Sequence, residues 1–190
     1  MVELLLGSKA DLNRRTSTGQ NALQLAGSMI RFGDDQKTRD ENRRYAEVVK
    51  VLAARGLEVD LFTAIALGDL ERVSVMLKAK PERIGEKDSE GSLPLQRAVE
   101  MNQFPIAGKL LQAGADVNGV GRYGRTALIE AAFWGRVEMV RLLLDKGANP
   151  DIKAEHDATA LSEAKRVLPY AARKQDYENV IDKISERTHR

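Results

Sequence analysis

Residues 124–151 read GRTALIEAAFWGRVEMVRLLLDKGANPD, and residues 91–118, a fixed 33 positions earlier, read GSLPLQRAVEMNQFPIAGKLLQAGADVN. The two segments align without a gap: Gly91 falls on Gly124, Leu95 on Leu128, Ala98 on Ala131, Gly114 on Gly147 and Ala115 on Ala148. One step further, DATALSEAK places Leu161 under Leu128 and Ala164 under Ala131. Backwards, Leu4 to Asn13 match the end of a unit, and TGQNALQLA from Thr18 opens the next. A period in this range is the signature of a stacked array in which each unit buries its apolar surface against its neighbours.

Within one period the residues dictate two short helices. Met139, Val140, Leu142, Leu143 and Leu144 give the second helix an apolar seam, while Ala131 and Ala132 keep the first thin enough for close approach. Gly114 and Gly147 fall just past the second helix, where a left-handed residue is favoured. From there the chain leaves into an extended finger.

These residues resemble the ankyrin repeat, with its glycine, its T-P-L-H-like turn into a first helix, its inter-helix glycine and its V-V-x-L-L-L-x-x-G-A-D-V-N ending. The resemblance covers most of residues 4–166 and implies an all-α ankyrin-repeat solenoid of stacked helix-turn-helix units with β-hairpin-like fingers. The units are a partial first one at 1–13, an insertion-bearing one at 14–60, then 61–90, 91–123, 124–156 and a last one from 157, followed by a C-terminal capping helix at 169–190. The family's turn histidine is replaced by Gln24, Gln96, Ile129 and Ser162, a change expected to remove a hydrogen bond that ties neighbouring turns together.

Two irregularities interrupt the period. Leu23 and Leu61 lie 38 residues apart instead of 33, which resolves as about fourteen inserted residues and about nine deleted ones. The insertion spans residues 28–44, SMIRFGDDQKTRDENRR, whose polar middle is expected to be a solvated loop flanked by helix extensions. The deletion falls at Asp60 and Leu61, where a finger is expected to be missing. At the N-terminus, Leu4, Leu5 and Leu6 belong to a second helix without its first, which predicts a monomer or weak self-association through that end. At the other end, Tyr177, Val180, Ile181 and Ile184 share one face of a helix whose opposite face is charged, as a cap requires.

Composition narrows the function classes. Thirty basic residues against 28 acidic ones leave a net charge of +2, evenly interspersed, which is not the footprint of a nucleic-acid binder. No cysteine is present, so thiolate metal sites and cysteine nucleophiles are excluded, and a reducing, cytoplasmic setting fits. No stretch is long and apolar enough to span a bilayer. The two histidines, His156 and His189, have no serine or carboxylate motif beside them. Asp34, Asp35, Asp40 and Glu41 alternate with Arg31, Lys37, Arg39, Arg43 and Arg44 and read as mutually neutralised rather than metal-binding. Gly119, Gly121 and Gly124 lie in a finger rather than between a strand and a helix, so no phosphate cradle is expected. No enzyme, cofactor or metal is expected.

What remains is a binding surface. Ankyrin-type arrays are expected to meet partners on the concave face, built from finger tips and the ends of first helices. Carried over by position, that face comprises Arg122, Tyr123 and Arg125, then Phe133 and Trp134, with Glu90, Glu100 and Met101 from the preceding unit and His156 from the following one. Tyrosine, tryptophan and arginine dominate binding hot spots. A protein–protein adaptor or scaffold is expected, with a dedicated inhibitor or immunity-type protein that occludes an enzyme as the alternative.

Overall fold

The computed structural model describes residues 14–17, 20–30 and 36–188. The partial first unit at 1–13, with the self-association face at Leu4, Leu5 and Leu6, lies outside the described residues, as does His189. The described residues form two compact bodies, divided between Val73 and Ser74.

The first body contains α1 (Ala22–Ser28), α2 (Gln36–Ala54) and α3 (Leu61–Leu67). Asn21 starts α1 by accepting the Gln24 N–H, and Gln24 returns its amide oxygen to the Asn21 N–H, so two otherwise orphaned donors are satisfied. The α1 helix packs on both α2 and α3. Gly27 is what lets α3 approach, because a Cβ there would meet the Thr63 side chain at 2.5 to 3.0 Å. Leu23, Val49, Leu52, Leu61 and Ile65 fill the core between them, each worth about 1.5–3 kcal/mol of burial.

The insertion departs from the sequence expectation. Its polar middle from Gln36 onward is the N-terminal half of the 19-residue α2, not a loop. The reason is compositional: Lys37, Glu41, Arg43 and Arg44 are straight-chain residues of good helix propensity, and Lys37 sits four residues before Glu41 at 4.0 Å. Residues 55–60 then lead directly into α3, capped by Asp60, with no finger between.

The boundary between the bodies falls within α4 (Leu70–Ala79). The second body continues through α5 (Pro94–Glu100), α6 (Phe104–Gln112), α7 (Ala127–Phe133), α8 (Val137–Asp145), α9 (Ala160–Val167) and α10 (Lys174–Thr188). First helices stack on first helices, α5 on α7 and α7 on α9, while α6 and α8 each lie against the first helix of their own unit. Ala98, Ala131, Ala132 and Ala164 are the thin inner wall, and Ile106, Leu110, Met139 and Leu143 fill the space behind it. Leu142 alone of the leucine triplet is half-exposed. The α10 helix packs on α8 and α9, burying Val180 and Ile184, and the Tyr177 hydroxyl donates to the Phe133 carbonyl at 2.7 Å.

The all-α fold class stands, and the fingers are hairpin-like without any strand among the described residues. In each of two fingers, consecutive residues adopt left-handed conformations: Tyr123 and Gly124 (φ 55° and 68°), then His156 and Asp157 (φ 59° and 57°). That is a type I′ turn, the hairpin turn whose twist suits two closely paired arms. The Gly121 N–H donates to the Arg125 carbonyl and the Ala154 N–H to the Ala158 carbonyl, closing both tips at the same repeat positions.

Candidate functional site

The 33-residue period places side chains in rows. Glu90, Tyr123 and His156 occupy one finger position, Glu100, Phe133 and Arg166 one position at the first-helix end, and Arg97, Glu130 and Glu163 one position a turn earlier. Neighbouring fingers touch: a Cβ on Gly124 would lie 3.3 Å from the Glu155 nitrogen and 3.4 Å from the Ala154 Cα. The rows therefore form a continuous surface across three units of the second body.

Two ionic clusters occupy it. In the first, Arg97, 9% exposed, reaches Asp88 at 2.6 Å and Glu100 at 2.8 Å, and approaches Glu90 at 3.4 Å. Glu90 also accepts from Arg122 at 2.6 Å, and Arg122 lies 4.5 Å over the Tyr123 ring. Burial works against the Arg97 charge, but the surrounding carboxylates of Glu100, Asp88 and Glu90 outweigh it and hold the guanidinium more firmly protonated than usual.

In the second cluster Glu163, 5% exposed, accepts from Arg125 at 2.8 Å and from Arg166 at 2.8 and 3.1 Å. The Arg166 hydrogen bonds, aided by the charges of Arg125 and Arg166, keep its carboxyl below the usual range. Glu130 is opposite in behaviour: burial raises its carboxyl, because Arg125 lies at a long 3.4 Å and compensates only in part. The Phe133 ring lies beside both guanidiniums, with Arg125 at 4.9 Å and Arg166 at 5.5 Å from its centroid. Trp134 meets Phe133 edge-on at 5.0 Å.

The structure thus brings most of the sequence-selected residues together. Glu90, Glu100, Arg122 and Tyr123 meet in the first cluster, and Arg125, Phe133 and Trp134 meet in the second, beside the exposed His156. Met101 is a correction: only 8% exposed, it ends α5 in the core and offers no surface to a partner. Of the two adjacent rings, Phe133 is the one that the Arg125 and Arg166 guanidiniums approach. Arg97, Glu130 and Glu163 were missed, although their shared 33-residue offset on the first helices would have found them.

A second correction concerns the turn histidine. Gln96 accepts from the Leu93 N–H and donates to the Arg125 carbonyl of the next finger, and Gln24 donates to Asp60 at 3.0 Å. Glutamine supplies the tie between neighbouring turns that its presence was expected to remove. Buried Ile129 has no such group, and Ser162 only caps its own helix.

Between Tyr123 and His156 the surface opens into a groove of about 520 Å³ lined also by Arg125, Glu155, Glu163 and Arg166. Among the described residues no group of three or more potential ligands is placed to hold a metal ion, and no helix is long and apolar enough to cross a membrane.

Residues 41–154 match a family model described as ankyrin repeats in three copies. The chain is 30% identical over 102 residues to ankyrin repeat and SAM domain-containing protein 6 of Rattus norvegicus, covering 53% of this chain and 12% of that protein. It is 27% identical over 162 residues to neurogenic locus notch homolog protein 1 of Xenopus laevis, covering 85% of this chain and 6% of that one. A third relative, ankyrin repeat, SAM and basic leucine zipper domain-containing protein 1 of Microcebus murinus, is 39% identical over 83 residues, 44% of this chain and 16% of its own. The matched segments span only a small part of each of these relatives.

Proposed function

From the premise that the chain belongs to the ankyrin-repeat family, a family of non-catalytic interaction modules, we propose that it is an adaptor or scaffold segment that docks a protein partner on the row of finger tips and first-helix ends between Glu90 and Arg166. The carrying observation is the alignment of exposed Tyr123 and His156 above a groove whose walls are already cross-linked by ion pairs. Such walls are preorganised, so a partner loses little by ordering them. Arg125 and Arg166 act mainly on Phe133 and Glu163, and Trp134 supports the Phe133 ring from its edge. The exposed contacts fall to Tyr123, His156, Glu90 and, in part, Glu100 and Arg122.

The alternative, an inhibitor that occludes a partner enzyme, draws support from the dense charge of this face. A cysteine-free chain fits a cytoplasmic setting for either role. We further propose that α10 closes the array, since Val180 and Ile184 cover α8 and α9 while Glu178 and Lys174 face solvent.

Affinity purification of the chain and of Tyr123→Ala/His156→Ala, with a thermal melt on both, tests the docking face. Proteins recovered in proportion with the unmodified chain should be depleted at least tenfold with the double variant, at an unchanged melting temperature; hot-spot truncations cost about 2 kcal/mol or more. Equal recovery would place docking elsewhere.

A further inference from the structure

The guanidiniums of the groove are committed. Arg125 and Arg166 face Glu130 and Glu163 in pairs within the chain, and Glu163 takes bonds from both. Two more carboxylates remain at the groove mouth, Glu155 and Asp157. Glu155 has no ion pair among the described residues. Asp157 meets only Lys153, at 3.2 Å, with both side chains largely in water, where such a pair is worth little. The groove of a chain with net charge +2 is therefore locally acidic, with the three carboxylates of Glu155, Asp157 and Glu163 lining it beside the two guanidiniums of Arg166 and of Arg125, which Glu130 engages from outside the groove. Tyr123 is 53% exposed and lines this groove, whereas Arg122, stacked over the ring, does not line it. Arg122 takes one part of the tyrosine, lying over the ring and donating to its hydroxyl at 2.8 Å, while the exposed remainder lines the same groove as Glu155 and Asp157. The touching backbones at Gly124 and Glu155 hold the tyrosine and the carboxylates side by side.

We infer that this groove receives the guanidinium of an arginine side chain from a protein partner, stacked on Tyr123 and bonded to Glu155 and Asp157. The inference rests on the docking-face reading above and gives that face its chemistry. A planar guanidinium satisfies both demands at once, presenting a flat surface to the ring and a fork of donors to the carboxylates. An ammonium meets the charge but not the stacking. An acidic or phosphorylated segment meets unpaired negative charge and finds no uncommitted guanidinium among the groove walls.

The test is a set of amide-resonance titrations of the full chain with four probes: N-acetyl-arginine amide, N-acetyl-lysine amide, N-acetyl-aspartate amide and N-acetyl-leucine amide. The arginine probe is expected to shift the amides of Tyr123, His156 and Ala158 saturably. Its affinity should fall about fivefold to tenfold in Glu155→Gln/Asp157→Asn, stay unchanged in Glu178→Gln on exposed α10, and weaken with added salt. The asparagine and glutamine variants keep side-chain volume, and asparagine tolerates the left-handed backbone at 157. Equal binding of the lysine probe would overturn stacking on Tyr123, and unchanged arginine binding in the double variant would overturn the carboxylate contact. Groove shifts with the aspartate or leucine probe alone would overturn the inference while leaving the docking face standing. Silence from all four probes at these amides would overturn both.

Discussion

The stretch from α1 to α3 and the stretch from α5 to α9 share a first helix and differ in everything attached to it. The first helices α1, α5 and α7 each have seven residues, whereas the second helices range from 19 residues in α2 to nine in α6 and α8. A first helix is held on several sides, by the neighbouring first helices and by the cap that joins it to its finger. A second helix is held along the part that meets its partner and is free to run on into solvent. The finger is equally dispensable between α2 and α3, but where fingers exist their register is strict. The period is thus enforced by the first helix and the finger turn, and the second helix carries the variation.

The heaviest blow to this register should be Gly124→Ala. At φ 68°, with the backbone of Ala154 and Glu155 against it, the new methyl strains its own residue and displaces the next finger. Left-handed strain of about 1–2 kcal/mol and overpacking of similar size should together cost about 2–4 kcal/mol in a denaturant melt. The mirror experiment is Asp157→Gly at the equivalent position, which should be neutral or gain up to about 1 kcal/mol. A loss there on the scale of the Gly124 variant would mean that the turn position is not what holds the fingers.

Next in size is the glutamine tie, which occurs in both stretches. Gln96→Ala strands the Leu93 N–H and leaves the Arg125 carbonyl with the Gly121 N–H as its remaining donor, in a site where Gln96 is 3% exposed, a cost of about 1–3 kcal/mol. Gln24→Ala, in a half-exposed site, should cost about 0.5–1.5 kcal/mol. Reversal of that order would separate the tie from burial.

The two glutamates of the second cluster should respond to pH in opposite senses. Glu163, held low by Arg166, contributes stability that is present above the ordinary carboxylate range and lost as pH falls through its folded value. Glu130, held high by burial, contributes in the reverse direction: its share is present at acid pH and lost as pH rises through its folded value. At neutral pH Glu163→Gln should therefore lose about 1–2 kcal/mol and flatten the acid limb of the stability curve. Glu130→Gln should lose less, and an equal loss in both would contradict the assignment of burial as the cause.

The smallest effect is expected at the extended end of α2. Arg43→Gly places a poor helix former at an exposed position worth at most about 1 kcal/mol. Hydrogen exchange should show faster exchange confined to residues 37–46, with the global melt unmoved. A shift of several degrees would mean that this half of α2 is packed and not simply helical.

What could be read from the sequence divides along the same line. The stacked helices were legible because Leu95, Leu128 and Leu161, and Ala98, Ala131 and Ala164, repeat at one offset, and all of them but the half-exposed Leu161 are buried. The polar start of α2 was misread because an apolar periodicity was sought where propensity alone makes the helix. The exposure of Tyr123 and His156 at the finger tips was legible, since exposure at a turn follows from position. Met101 failed because the same position holds Trp134 in the next unit, half-exposed there and buried here, and no offset reports how tightly a given neighbour closes. The ion pairs were invisible one residue at a time: Glu163 becomes informative only when Arg125, in the preceding unit, is known to reach it.

The one tryptophan of the chain stands against Phe133, in the helix whose terminal carbonyl is held by Tyr177 of α10. Its light emission therefore reports on the second body, and the first body, whose described aromatic residues are Tyr45 and Phe62, is spectrally quiet beside it. Excitation at the red edge of the absorption band, where tyrosine is dark, follows the unfolding of residues 74–190, while far-ultraviolet dichroism follows all helices together. Two superimposable transitions would reveal a single cooperative array, and two displaced ones an array that melts in sections. The ring against which this fluorophore stands also touches the Arg125 and Arg166 guanidiniums of the groove wall, so a rearrangement of that wall on docking is expected to change the emission.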